Sequence, residues 1–259
     1  MTTVTSGSLA EYLDRLLDVA QHADYANALN GLQLANQAPV RRIGAAVDLS
    51  LRAIHSARSS GVNFLIVHHG MFWTGLQRVV GTTYDRLRAL LDADIAVYSV
   101  HLPLDSSPAF GNSALLAKRL GLAVTGSFAR YGEHYVGVSG EGDVATSDLV
   151  TAVAAFASEF ATTVRTTPVA PEQRTKRWAI CTGAGASSET LREAAAARVD
   201  TLIVGEGPHH TAVDAAELNL TIIYAGHYAT ETLGVQAIAA RAAAEYGVPW
   251  EFLFAPTGL

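Results

Sequence analysis

Short apolar runs alternate with amphipathic stretches through the first 122 residues, and that alternation predicts most of the elements. Leu9, Tyr12, Leu13, Leu16, Leu17 and Ala20 recur at the spacing of one helix face, and Ser8-Leu9-Ala10-Glu11 reads as the capping box that opens it. Asn30-Gly31-Leu32-Gln33 reads as a turn on its Asn-Gly step. Residues 43–47 form a strand pattern ending at Asp48, and residues 51–60 a helix pattern stopped by Gly61. The run 64–67 predicts a buried strand that stops at His68 and His69, with Gly70 to turn the backbone. Thr82 or Thr83 can cap a helix through Leu91. Residues 95–100 then make a strand that runs into His101-Leu102-Pro103-Leu104-Asp105. Asn112 is placed to cap the following helix, and Gly121 to end it at C′. Helix and strand in alternation predict a largely parallel sheet covered by helices.

The pattern changes after residue 122. Residues 123–130 and 135–139 read as adjacent strands joined by a polar turn, and Ser147 opens a helix with Val150, Val153, Ala154 and Phe160 at helical intervals. Two more strands, 162–167 and 178–182, flank a loop containing Pro168 and Pro171. Gly183-Ala184-Gly185 has the look of a phosphate loop, but two glycines before a helix are commonplace, and an ordinary tight turn is the better reading. The strand 202–204 runs into Gly205-Glu206-Gly207-Pro208-His209-His210, and the strand 220–225 into Gly226-His227. A helix over about 230–246 and a strand over 250–254 end the pattern. The two halves share an order of helices and strands, which suggests a structural duplication without a residue-level repeat.

Composition narrows the class. With 49% hydrophobic and 16% charged residues, the 259-residue chain can bury one large core or two ordinary ones. Its formal net charge of −6 leaves no basic footprint for nucleic acid. Cys181 is the one cysteine, which excludes an internal disulfide and fits a reducing compartment. Residues 1–8 lack the basic and apolar segments of a secretory signal, and no run approaches the roughly 20 apolar residues that span a bilayer. A soluble cytoplasmic protein is expected.

The chemistry lies in the histidines. Six of the nine, at positions 68, 69, 101, 209, 210 and 227, follow strand-like runs. If those strands are parallel, all six gather on one edge of the sheet, beyond the carboxyl ends where α/β proteins bind ligands. Two carry a carboxylate four positions on: Asp105 after His101, and Glu231 after His227. At a helix start His227 and Glu231 share a face. For His101 and Asp105 the intervening Pro103 predicts a loop curled around an ion. Either pair alone is more readily a salt-bridged or capping histidine, as adjacent His68 and His69 are alone more readily a bland pair, but the three coincident pairs favour metal. Imidazole and carboxylate donors suit zinc, iron, manganese or nickel.

These segments are recognisable together. Val67-His68-His69-Gly70 with Phe72-Trp73, His101-Leu102-Pro103-Leu104-Asp105, Gly111-Asn112, and Gly226-His227 with Thr230-Glu231 resemble the Nif-three family, the dinuclear-metal proteins labelled GTP cyclohydrolase I type 2 homologues. The resemblance runs from Asn30-Gly31-Leu32-Gln33 to Glu231, in the short bacterial form. It implies an α/β fold of two intertwined lobes with mixed, largely parallel sheets covered by helices. The metal-site lobe would comprise residues 1–122 and 224–259, discontinuous because the carboxyl-terminal ligands return to it, and residues 123–223 would form the other. It implies two divalent ions per chain: His69 and Asp105 on one, His68 and His227 on the other, Glu231 bridging. His101 would ligate or orient a ligand. The loop bearing Glu206, His209 and His210 would border the site, with both histidines as substrate contacts; Gly207-Pro208 departs from the family's usual loop. The assembly implied is a ring-shaped homohexamer.

Two functions of different classes follow. One is a metal-dependent hydrolase acting on a nucleotide or related small molecule, with His101 or Glu206 transferring the proton. The other is a ring-forming metal-binding regulatory or scaffold protein without turnover. Neither calls for an organic cofactor, a nucleic acid or a membrane.

Overall fold

The computed structural model describes residues 3–259; Met1 and Thr2, part of the stretch read for a secretory signal, lie outside it. The chain forms two compact units, each discontinuous in sequence. One takes the chain up to Leu104 together with Gly234–Ala255, and the other takes Asp105–Leu233 with Pro256–Leu259.

In chain order the first unit begins with α1 (Ser6–Leu16), β1 (Gly31–Leu34), β2 (Ile43–Asp48), α2 (Leu51–Ser60), β3 (Phe64–His69), α3 (Thr82–Asp92) and β4 (Ala96–Ser99). The helical turn α4 (Leu102–Asp105) leads into α5 (Asn112–Arg119), β5 (Gly126–Tyr131), β6 (His134–Ala145), α6 (Thr146–Ser158), β7 (Arg165–Thr166), β8 (Arg174–Cys181), α7 (Ser188–Ala196), β9 (Thr201–Val204), α8 (His209–Glu217), β10 (Thr221–Tyr224) and α9 (His227–Thr230). The chain returns to the first unit through α10 (Thr232–Tyr246) and β11 (Trp250–Phe252).

The first sheet has the order β1-β4-β3-β2-β11, parallel throughout except for the edge strand β1. Phe64, Leu65, Ile66 and Val67 are all fully buried, as a strand covered on both faces requires. On one face Ala53, Ile54 and Ala57 of α2 and Leu90 pack with Leu65, Val67 and Val97. On the other, the Tyr98 hydroxyl donates to Asp14 of α1 at 2.9 Å. Val235, Ile238, Ala239, Ala242 and Ala243 give α10 a buried face at helical spacing. The second sheet has the order β5-β6-β8-β9-β10-β7, in which only β8, β9 and β10 run parallel.

Several local expectations change. The capping box lies earlier: Thr5 is the N-cap of α1 and Ser8 its N3 partner, with reciprocal bonds of 3.1 Å, since two hydroxyls at that spacing satisfy both N–H groups. Gly31 starts a strand and not merely a turn, because β4 offers it an antiparallel edge. Leu102–Asp105 is a helical turn and not a loop. Pro103 falls in its first turn, where a missing N–H costs nothing, and the Leu102 N–H is satisfied by Asp24 at 2.9 Å. Asn112 is already helical behind the N-cap Gly111, which leaves its side chain for Asp105. Gly70 is not held in a left-handed conformation; a Cβ there would sit 2.6 Å from both Gln33 Nε2 and Ser99 Cβ, so close packing demands the glycine. The six histidines do lie at or just after the ends of parallel strands, His68 and His69 as the last residues of β3, but those strands belong to two sheets, not one.

Candidate metal centre

In the first unit, β3 and β4 end side by side and deliver His68, His69 and His101. All three are buried, and each offers a ligand atom within 4.8 Å of the others'. Every Nδ1 is committed elsewhere: His68 to the Val100 carbonyl at 3.0 Å, His69 to Asp48 Oδ1 at 2.8 Å, and His101 to Asp24 Oδ1 at 2.9 Å. A carbonyl or carboxylate oxygen can only accept, so each Nδ1–H is the donor and Nε2 is the nitrogen that each ring could offer to an ion. This is the arrangement in which metal-binding histidines are held, and the donor set fits a borderline divalent ion. The pairing of Asp48 with His69 follows from register, since the two are partners across β2 and β3.

Asp24 anchors His101 more firmly than sequence spacing could suggest. It also accepts from Asn30 Nδ2 and Leu102 N–H, both at 2.9 Å, while Asn30 Oδ1 accepts the His101 N–H at 2.8 Å. Burial pushes the Asp24 carboxyl pKa up, but the hydrogen bond and charge of His101, helped by Asn30 and Leu102, outweigh it and hold the carboxyl below its ordinary value. The Trp73 ring packs on His69 and His101, with centroids 4.7 and 4.6 Å away.

The second unit holds the carboxylates. Asp105 accepts from Asn112 Nδ2 at 2.9 Å. His227 opens α9 with an acid on each nitrogen: Nδ1 lies 2.7 Å from Glu206 Oε1 and Nε2 lies 3.1 Å from Glu231 Oε2. Burial lowers the His227 pKa, but hydrogen bonds and charge from Glu231 first, then Glu206, raise it to about 9. A cation is therefore favoured at Nε2, and a divalent ion bound there and at Glu231 would replace a proton. Glu206 is itself fixed through its backbone, its N–H donating to Gly183 at 2.8 Å and its carbonyl accepting from Ala186 at 3.2 Å. Near these acids the Cys181 thiol is pushed up to about 12, by burial first and then by Asp105, Glu193 and Glu231, so it remains a thiol.

Glu206 also borders a cavity of about 460 Å³ in the second unit, with Arg165, His209 and Tyr224. His209 and His210 are exposed in the first turn of α8; His209 lines the cavity and His210 does not.

The sequence profile of Duf34/NIF3 (NGG1p interacting factor 3) matches residues 4–256. The chain belongs to the Duf34/NIF3 family. A Halobacterium salinarum relative named GTP cyclohydrolase 1 type 2 homolog is 40% identical over 254 residues, 96% of this chain and 97% of its own. A Deinococcus radiodurans relative of the same name is 36% identical, covering 97% and 93%. Among solved structures, the ybgI protein, titled as of unknown function, superposes with a TM-score of 0.88 at 32% identity over 99% of this chain and 100% of that one. A Thermus thermophilus protein does so at 0.80 and 30%, covering 99% and 100%. Duf34/NIF3 membership agrees with the two helix-covered mixed sheets and with His and Glu groups that could hold a metal. Among the described residues, no helix is long and apolar enough to cross a membrane.

Two residues beside the histidines escape the motif reading of this Duf34/NIF3 chain, Asp24 and Asp48, while Asn30 was read only as part of a turn. Asp48 had a signal, as the last residue of a strand adjoining the histidine-ended one. Asp24 had none, since it lies in irregular chain and reaches His101 across 77 positions.

Proposed function

We propose that this chain binds two divalent metal ions and acts as a metal-dependent hydrolase on a nucleotide or related small molecule. The observation that carries the reading is the commitment of four imidazoles, His68, His69, His101 and His227, through Nδ1 to oxygen acceptors. His68, His69, Asp105, His227 and Glu231 are the proposed ligands, with Glu231 as the bridge; His101 is a further imidazole available to ligate or orient. The ions are zinc, iron, manganese or nickel by donor chemistry. When bound, they supply Lewis acidity and lower the pKa of water.

The chain's own residues would then hold and move the proton. Of the two candidates, Glu206 is better placed, because its side chain is 43% exposed and borders the cavity. His101 is buried with Nδ1 given to Asp24, which supports an orienting or ligating part instead. His209, on the same cavity, is the proposed substrate contact; His210 lies beside it on α8. The relatives' names support a nucleotide substrate. A homohexameric assembly and a cytoplasmic location belong to the same proposal.

Elemental analysis of the purified protein should find close to two divalent ions per chain, removable by chelation. Turnover of nucleotides or phosphoesters should return with the metal, and light scattering should give six chains. Protein that stays metal-free after reconstitution with all four metals refutes the proposal.

A further inference from the structure

We propose that Gly183 is a positioning residue for the Glu231 carboxylate, an inference that rests on the metal-binding reading above. Gly183 follows β8 with φ +62, and a Cβ built on it would overlap Glu231 Oε1 while lying 3.1 Å from Glu231 Cδ and 3.4 Å from His227 Nε2. The carboxylate thus rests against a bare Cα. Backbone groups of the same residue fix what surrounds it. The Gly183 N–H donates to Thr230 Oγ1 at 3.1 Å, and that hydroxyl lies 2.9 Å from the Gly226 carbonyl and 3.0 Å from that of His227. The Gly183 carbonyl accepts the Glu206 N–H at 2.8 Å. One residue therefore sets the floor under Glu231, the anchor of the turn that carries His227, and the backbone of Glu206.

Gly205 completes the floor, since a Cβ there would lie 2.7 Å from Thr230 Oγ1 and 2.9 Å from Gly183 N. The sequence presents Gly183-Ala184-Gly185 as a tight turn, but its first glycine is required by the carboxylate. The atom a Cβ would strike is the far end of a rotatable side chain. A methyl group can be accommodated by swinging Glu231 aside, which spares the fold and misplaces the donor.

The test compares Gly183→Ala with Gly121→Ala. Gly121 has φ +71 and nothing within 4 Å of a Cβ, so it carries the same backbone strain without the collision. Both variants should lose similar thermal stability by circular dichroism. Only Gly183→Ala should lose Zn²⁺ affinity, by about tenfold or more in chelator competition, as expected when support for a ligand is removed. Wild-type affinity in Gly183→Ala, or equal losses in both variants, overturns the inference. A crystal structure of metal-free Gly183→Ala reads the geometry directly and keeps the inference distinct from the metal reading. Glu231 displaced from His227 supports it, and an unmoved Glu231 refutes it even if the wild type binds no ion.

Discussion

Metal binding at His227 should depend steeply on pH in a range where ordinary histidines are silent. Without metal its pKa is raised to about 9 by Glu231 and Glu206 against the lowering effect of burial. An ion at Nε2 must displace that proton. At pH 7, about two units below the pKa, this costs about 3 kcal/mol, and apparent affinity should rise more than about tenfold between pH 7 and 8.5. A histidine with the ordinary pKa of about 6.5 would give less than about 1.5-fold over the same range. Calorimetry in two buffers of different ionisation enthalpy should find close to one proton released per ion at His227 near pH 7.5. Glu206→Gln should shift the rise to lower pH. The sign for folding is opposite. A raised pKa stabilises the metal-free protein fully below about 6.5, and that contribution, about 3 kcal/mol, is lost as pH rises through 9. Denaturant melts of wild type against His227→Gln isolate it. An affinity flat between pH 7 and 8.5 would refute the assignment of two acids to one imidazole.

Asp24→Asn should lower metal affinity about 10–100-fold, because the charge that tunes His101 through Nδ1 is lost; chelator competition reads it, and an unchanged affinity dismisses the orienting role. Glu231→Gln should remove at least one ion per chain in elemental analysis with the far-ultraviolet circular dichroism unchanged, since an amide brings no charge to offset two cations. Retention of both ions at wild-type affinity would mean that Glu231 is not the bridge.

What was legible depended on whether one residue type decides the local structure. Gly61 ends α2 with φ +75, and the continuous apolar run before His68 is a strand buried on both faces. Those features follow from sterics and burial along a few residues. The distribution of strands over two sheets came from the family resemblance and not from periodicity, because a strand pattern says nothing about which strand lies next to it. Asn30, Asn112 and Gly183 show the same limit at single positions. Each reads locally as turn or cap chemistry, and each serves another partner: Asn30 the His101 backbone 71 positions on, Asn112 the Asp105 carboxylate 7 positions back, and Gly183 the Glu231 carboxylate. A side chain with two available uses is read by its local one.

The energetics argue that these groups are not kept for stability. Buried ionic and polar clusters stabilise little against an apolar replacement of the same volume, because desolvation offsets the attraction. Yet the first unit buries three imidazoles at the ends of two strands, one of them led by the wholly apolar run Phe64, Leu65, Ile66 and Val67. It adds the carboxylate of Asp24, most of whose hydrogen bonds hold His101 and the chain around it. The second unit buries Glu231 against Gly183, where a Cβ would overlap Glu231 Oε1. In each unit the supporting groups fix the direction of a donor atom more than they add to the core. Such expenditure is intelligible when something outside the chain completes the cluster, and a divalent cation fits the donors that both units present.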